Sequence, residues 1–192
     1  MTPAYFTELG DLYRRIEASA GGEVLGFGEA LAHAVQLIRA RTAAGRKVMF
    51  VGNGGSSAIA SHQAIDLWRN GGIRAIAFND PVLLTCVSND FGYPRVFEKP
   101  IDMFGESGDV LIAISSSGKS ENILLAVEAA RRVGASVITM SGFQLDNPLR
   151  RLGDLNFYVP SGSYGHVEIA HLTICHCIAD TLMASVGTPE AS

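Results

Sequence analysis

The sequence predicts an α/β domain: a three-layer, doubly wound parallel sheet with a helical arm at its N-terminus. Two observations carry that prediction. Between residues 47 and 186, short apolar runs alternate with helix-period patterns, which builds a parallel sheet covered by helices on both faces. Two glycine- and serine-rich loops, at 52–57 and 115–120, each follow such a run and open a helix, as at the ligand-binding edge of a doubly wound sheet. The length, 192 residues, suits a single domain, with residues 1–45 as the arm and 46–187 as the core.

Taken in order, residues 3–20 and 24–45 read as two amphipathic helices broken at Gly21-Gly22. The second carries an apolar stripe of Leu25, Ala30, Ala34, Leu37, Ile38 and Ala43. Residues 47–51 read as a strand, 52–57 as a loop and 57–69 as a helix. A strand at 74–78, a short helix near 81–87 and a loop at 88–92 follow. The next helix, 94–104, contains Pro100 and should be broken or kinked there. A strand at 109–114 leads through the serine loop into a helix at 119–133, and strands follow at 135–141 and 155–159. The last element is a long apolar helix from 168 to about 186, stopped by Gly187 with Pro189 beyond. Right-handed crossovers place every strand-to-helix loop on one edge of the sheet, so both glycine–serine loops share that edge.

Composition narrows the function classes. Charged residues make up 18%, against about 25% in typical soluble domains. A surface so short of charge is expected to be partly buried in a homo-oligomer. The net charge of −4 gives no footprint for nucleic acid. Cys86, Cys175 and Cys177 have no paired metal-knuckle spacing, and their odd number argues against a disulfide framework. The first residues lack a leader pattern, and no unbroken apolar run reaches 18 residues. The expectation is a soluble, reduced, cytoplasmic protein without membrane or nucleic-acid partners.

The serine loop carries the most specific signal. Ser115, Ser116, Ser117 and Ser120 surround Gly118 where a buried strand opens a helix. Hydroxyls, backbone N–H groups and the positive end of the helix dipole converge there, which suits a phosphate. One serine would be an ordinary N-cap; four within six residues favour an anion site. The other loop, Gly52-Asn53-Gly54-Gly55-Ser56-Ser57, lacks the third glycine of a dinucleotide fingerprint, and no acidic residue ends the next strand. Dinucleotide binding is not expected.

Two helices hold groups able to do chemistry. His62 and Asp66, four apart, form either a two-ligand metal arm or a surface ion pair. The C-terminal helix carries Glu168, His171 and His176. Glu168 and His176 lie about 80° apart around the axis, Glu168 and His171 are the tighter pair, and either histidine could instead belong to the core.

Together, Asn53-Gly54-Gly55-Ser56, Ser88-Asn89-Asp90-Phe91-Gly92, the run 108–120 and the histidine-bearing last helix resemble the sugar isomerase (SIS) family, most of all its phosphoheptose isomerase branch. The resemblance covers nearly the whole chain. It implies a flavodoxin-like fold, a homotetramer and heptose biosynthesis. The implied reaction is aldose–ketose isomerisation of a sugar phosphate, sedoheptulose 7-phosphate to a D-glycero-heptose 7-phosphate, through a metal-stabilised enediolate. It puts Ser115, Ser116, Ser117 and Ser120 on the phosphate, Asn53 and Ser56 on the sugar, and Asn89 and Asp90 at the reacting end. It also implies one zinc held by His62, Asp66, Glu168 and His176, with proton transfer shared by Asp66 (or Glu168) and His176. The family usually has Glu at the position of Asp66, Gln at that of Glu168, and an Asp-Arg pair within the stretch occupied here by 161–167. The alternative is a non-catalytic sugar-phosphate-binding relative of the type that associates with a replication initiator; the presence of both His62 and His176 favours the enzyme.

Overall fold

The structure, a computed structural model, describes residues 2–184. Its centre is a seven-stranded sheet in the order β2-β1-β7-β6-β5-β3-β4. Five of these strands are parallel: β3 (Val48–Gly52), β4 (Ala75–Ala77), β5 (Val110–Ser115), β6 (Ser136–Gly142) and β7 (Leu155–Val159). The expected parallel, doubly wound core is therefore present, with all five strands at the expected places. β5 is buried on both faces. Val110, Ile112 and Ile114 join the core on one side, and Leu111 and Ala113 the core on the other.

The arm differs from expectation. Helix α1 (Thr2–Tyr13) ends early, and residues read as its second half form β1 (Glu17–Ala20), hairpinned to β2 (Glu23–Leu25). Gly21 and Gly22 both have positive φ, +57° and +88°, and join the strands as a two-residue turn. Glycine adopts that conformation at no steric cost, and its twist matches that of a hairpin. β1 runs antiparallel to β7, pairing Glu17 with Tyr158, so the sheet is mixed at this edge. Only α2 (Phe27–Ala43) matches its expected helix.

Two more segments need correction. α4 (Pro81–Phe91) absorbs the expected loop, ending at Gly92, whose φ of +85° terminates it. Pro100 lies in the first turn of α5 (Glu98–Phe104), where its missing N–H leaves no hydrogen bond unmade; the break falls earlier, at a separate 3₁₀ turn over Tyr93–Arg95.

α3 (Gly55–Gly71), α2 and α7 (Tyr164–Ala184) cover one face of the sheet; α5 and α6 (Glu121–Arg132) cover the other. α7 has the length and apolarity of a membrane-spanning helix. Val167, Ala170, Ile174, Ile178 and Leu182 nevertheless bury its stripe against α2, α3 and the sheet, which makes it a core helix here. Its expected stop at Gly187 and Pro189 lies outside the described residues.

Candidate active site

The chain leaves β3 for β4 on one side and returns to β5 on the other. The topological switch point thus lies between the C-terminal ends of β3 and β5, where both glycine–serine loops emerge. Sheet topology brings together two segments some sixty residues apart in sequence.

The serine loop is self-supporting. Ser115 Oγ accepts from Gly118 N (3.2 Å) and lies 3.3 Å from Ser120 Oγ, while Ser117 Oγ accepts from Lys119 N (3.2 Å). Ser116 Oγ is buried and finds no partner among the described residues. Gly118 turns the loop with φ +62°, and a Cβ there would collide with the Asn147 side chain. Asn147 is fully buried. Its Nδ2 donates to Ser141 Oγ, Gly142 O and Gln144 O, its Oδ1 accepts from Arg150 N, and Leu149 N donates to Gly118 O. A rigid buried amide therefore fixes the loop from behind. α6 starts at Ser120 without a side-chain cap, which leaves its first N–H groups facing the loop.

The glycine loop is equally tight. A Cβ on Gly52 would lie 2.5 Å from the Ser56 backbone, so strand end and first helical turn touch. α3 starts at Gly54, again with no side-chain cap. Asn53 crosses the switch point: its Nδ2 donates to Asn122 Oδ1 (2.9 Å), and Asn122 Nδ2 donates back to Asn53 Oδ1 (2.8 Å). The Tyr93 hydroxyl also donates to Asn53 Oδ1 (3.0 Å). Ser56 is buried. Asn89 and Asp90 lie exposed on α4, with Asn89 Nδ2 donating to Asp90 Oδ1.

Two turns along α3, His62 Nε2 stands 3.1 Å and His176 Nδ1 3.9 Å from Asp66 Oδ2. One donor atom from each residue lies within 4.8 Å of the others. Two imidazoles and a carboxylate at that spacing suit a divalent ion such as zinc. Glu168 stands outside this trio, with its carboxylate packed over the Cα of Gly55 at the start of α3. His171 is a core histidine: Nε2 meets Ser141 O at 3.1 Å, and burial pushes its pKa down to about 4, partly offset by that hydrogen bond. The backbone thus separates the two histidines that helical spacing left equivalent.

The sequence assigns no role to Asn122, Tyr93 or Asn147. Asn122 follows the serine loop directly, and Tyr93 follows Asn89-Asp90-Phe91-Gly92, so nearness to the motifs was the available signal. Asn147-Pro148 reads only as a turn, and its partner Gly118 lies 29 residues earlier.

A doubly wound sheet presenting two uncapped helix starts and a serine loop at its switch point defines a class of phosphate-binding α/β domains. Residues 5–142 match the SIS domain family. The phosphoheptose isomerase of Edwardsiella ictaluri is 40% identical over 166 residues, covering 82% of this chain and 86% of that protein. Among solved structures, a phosphoheptose isomerase from Francisella tularensis superposes with a TM-score of 0.83 at 30% identity, covering 94% of this chain and 95% of that one. The phosphoheptose isomerase from Neisseria gonorrhoeae gives 0.82 at 28%, covering 95% and 97%. The chain belongs to the SIS domain family and, within it, to the phosphoheptose isomerases.

Proposed function

We propose that this protein is an aldose–ketose isomerase that converts sedoheptulose 7-phosphate to a D-glycero-heptose 7-phosphate. The observation that carries this reading is the His62/Asp66/His176 trio, in which α7 brings His176 to the His62–Asp66 pair on the helix that the glycine loop opens, beside a serine loop built for a phosphate. The serine loop takes the 7-phosphate through Ser115, Ser116, Ser117, Ser120 and the α6 N–H groups, and Ser116 Oγ gains the partner it otherwise lacks. Binding at this remote end aligns C1 and C2 with the chemistry. Asn53 and Ser56 meet the sugar, with Asn89 and Asp90 at its reacting end.

Isomerisation moves one proton from C1 to C2 and one between the two oxygens, through an enediolate. A metal ion, zinc by resemblance, would be held by His62, Asp66 and His176 and would supply Lewis acidity that polarises the carbonyl. Asp66 is already engaged by His62, whereas Glu168 stands free of the trio at the start of α3. In our reading Glu168 therefore accepts the proton from C1 and returns it to C2, and Asp66 and His176 serve the metal. The enzyme is proposed to work in the cytoplasm as a homo-oligomer, by resemblance a tetramer. Exposed Trp68, Ile76, Met103 and Phe104 would be covered in that assembly.

Metal analysis of purified protein followed by incubation with sedoheptulose 7-phosphate tests the reading. His176→Ala should lose both metal and turnover. Glu168→Gln should keep the metal and lose turnover by 100-fold or more, roughly the range of a missing general base; loss of metal in that variant would make Glu168 a ligand instead. Wild type that binds sugar phosphate but turns none over would leave the non-catalytic reading.

A further inference from the structure

The bridge between the two loops has a definite polarity. Asn53 Oδ1 accepts from two donors, Asn122 Nδ2 at 2.8 Å and the Tyr93 hydroxyl at 3.0 Å, which uses both of its lone pairs. Asn53 Nδ2 gives one hydrogen to Asn122 Oδ1 at 2.9 Å. One N–H is all the hydrogen-bonding capacity its side chain has left. Asn122 is 3% exposed, held in the first turn of α6, and cannot swing away with the ligand. Tyr93, by contrast, is more than half exposed and sits just past α4, a helix none of whose residues is buried.

We infer that Tyr93 and Asn122 are positioning residues: they lock the Asn53 amide so that it presents a single N–H donor to an oxygen of the bound sugar. The inference rests on the isomerase reading above. An unlocked Asn amide can rotate by half a turn and offer its oxygen instead, which attracts hydroxyl hydrogens and repels a carbonyl or enediolate oxygen. The lock therefore favours the oxygen that gains negative charge during isomerisation over the hydroxyls of the resting sugar. Tyr93 also follows α4, which carries Asn89 and Asp90, so the amide and those two residues are set together at the reacting end.

The test is a double-mutant cycle on Tyr93→Phe and Asn53→Ala, read in kcat and KM with sedoheptulose 7-phosphate and, separately, in substrate affinity by calorimetry. Tyr93→Phe alone should lower kcat about 5- to 10-fold, the range of one net hydrogen bond, with KM changed less than twofold. In the Asn53→Ala background the same change should have no further effect on kcat. Asn122→Asp, which can accept from Asn53 but no longer donates to it, should lower kcat while retaining the wild-type melting temperature within a few degrees. Multiplicative effects of Tyr93→Phe and Asn53→Ala, or an effect confined to KM, would overturn the lock while leaving the isomerase intact. Wild type that neither binds nor converts the sugar phosphate would overturn the isomerase reading, and the lock with it.

Discussion

The helices α4 and α6 begin in opposite ways. At α4 the Asp80 carboxylate accepts from Val82 N (2.9 Å) and Leu83 N (3.0 Å), and Pro81 fills the first helical position, where an N–H would be idle. At α6 Ser120 stands at the cap without capping; its hydroxyl turns toward Ser115, and no side chain caps the first N–H groups. One start is finished by its own side chains. The other has no side-chain cap. Stability and binding draw on the same orphan N–H groups, and a helix start can serve one purpose or the other.

That contrast can be broken most severely from behind the loop. Gly118→Ala would place a methyl group into the Asn147 amide at a positive φ, so it should abolish sugar-phosphate binding in calorimetry and lower the melting temperature by ten degrees or more. Acid should loosen the same support. The folded pKa of His171, about 4, lies below its ordinary 6.5, so its neutral ring contributes stability that is complete above pH about 6.5 and is lost as pH falls toward about 4. The loss amounts to roughly 3 kcal/mol at the acid end. Urea titrations of wild type and His171→Gln at pH 7 and pH 4.5 should show a smaller pH dependence in the variant. Removing both Ser117 and Ser120 hydroxyls as alanines should weaken sugar-phosphate binding about tenfold with little change in melting temperature; unchanged affinity would refute the phosphate site. Asp80→Ala should do the reverse, costing about 1 kcal/mol of stability by denaturant titration while turnover stays within twofold.

The same contrast explains what the sequence made legible. Apolar strand runs such as 110–114 and 155–159 are buried wherever they go in the sheet, so local pattern alone located them. The hairpin β1–β2 was missed because Glu17-Ala18-Ser19-Ala20 has helical composition; it becomes a strand through β7, whose residues lie more than 130 positions later. A Gly-Gly pair serves as a helix break or as a hairpin turn, and only the distant partner decides which. The serine loop announced itself because too many hydroxyls for one cap sat at one junction. His62 with Asp66 was readable from helical spacing, but the third member, His176, needed the packing of α7 on α3 to join them, and the same packing carries Glu168 to Gly55 instead. Asn122 and Tyr93 are ordinary polar residues at ordinary positions; only their meeting at Asn53 gives them significance.

The two cores on either side of the sheet also differ in when they can be completed on the ribosome. The core beneath α5 and α6 draws its buried residues from Met49 to Leu149, so every side chain it needs has been synthesised well before the chain is finished. The core beneath α2, α3 and α7 runs from Leu12 to Leu182 and stays open until the last helix emerges. Val110, Ile112 and Ile114 face the core that needs α7, while Leu111 and Ala113 face the core that does not. The helix that carries His176 and Glu168 closes that second face, so both candidate site residues lie on the element that completes it.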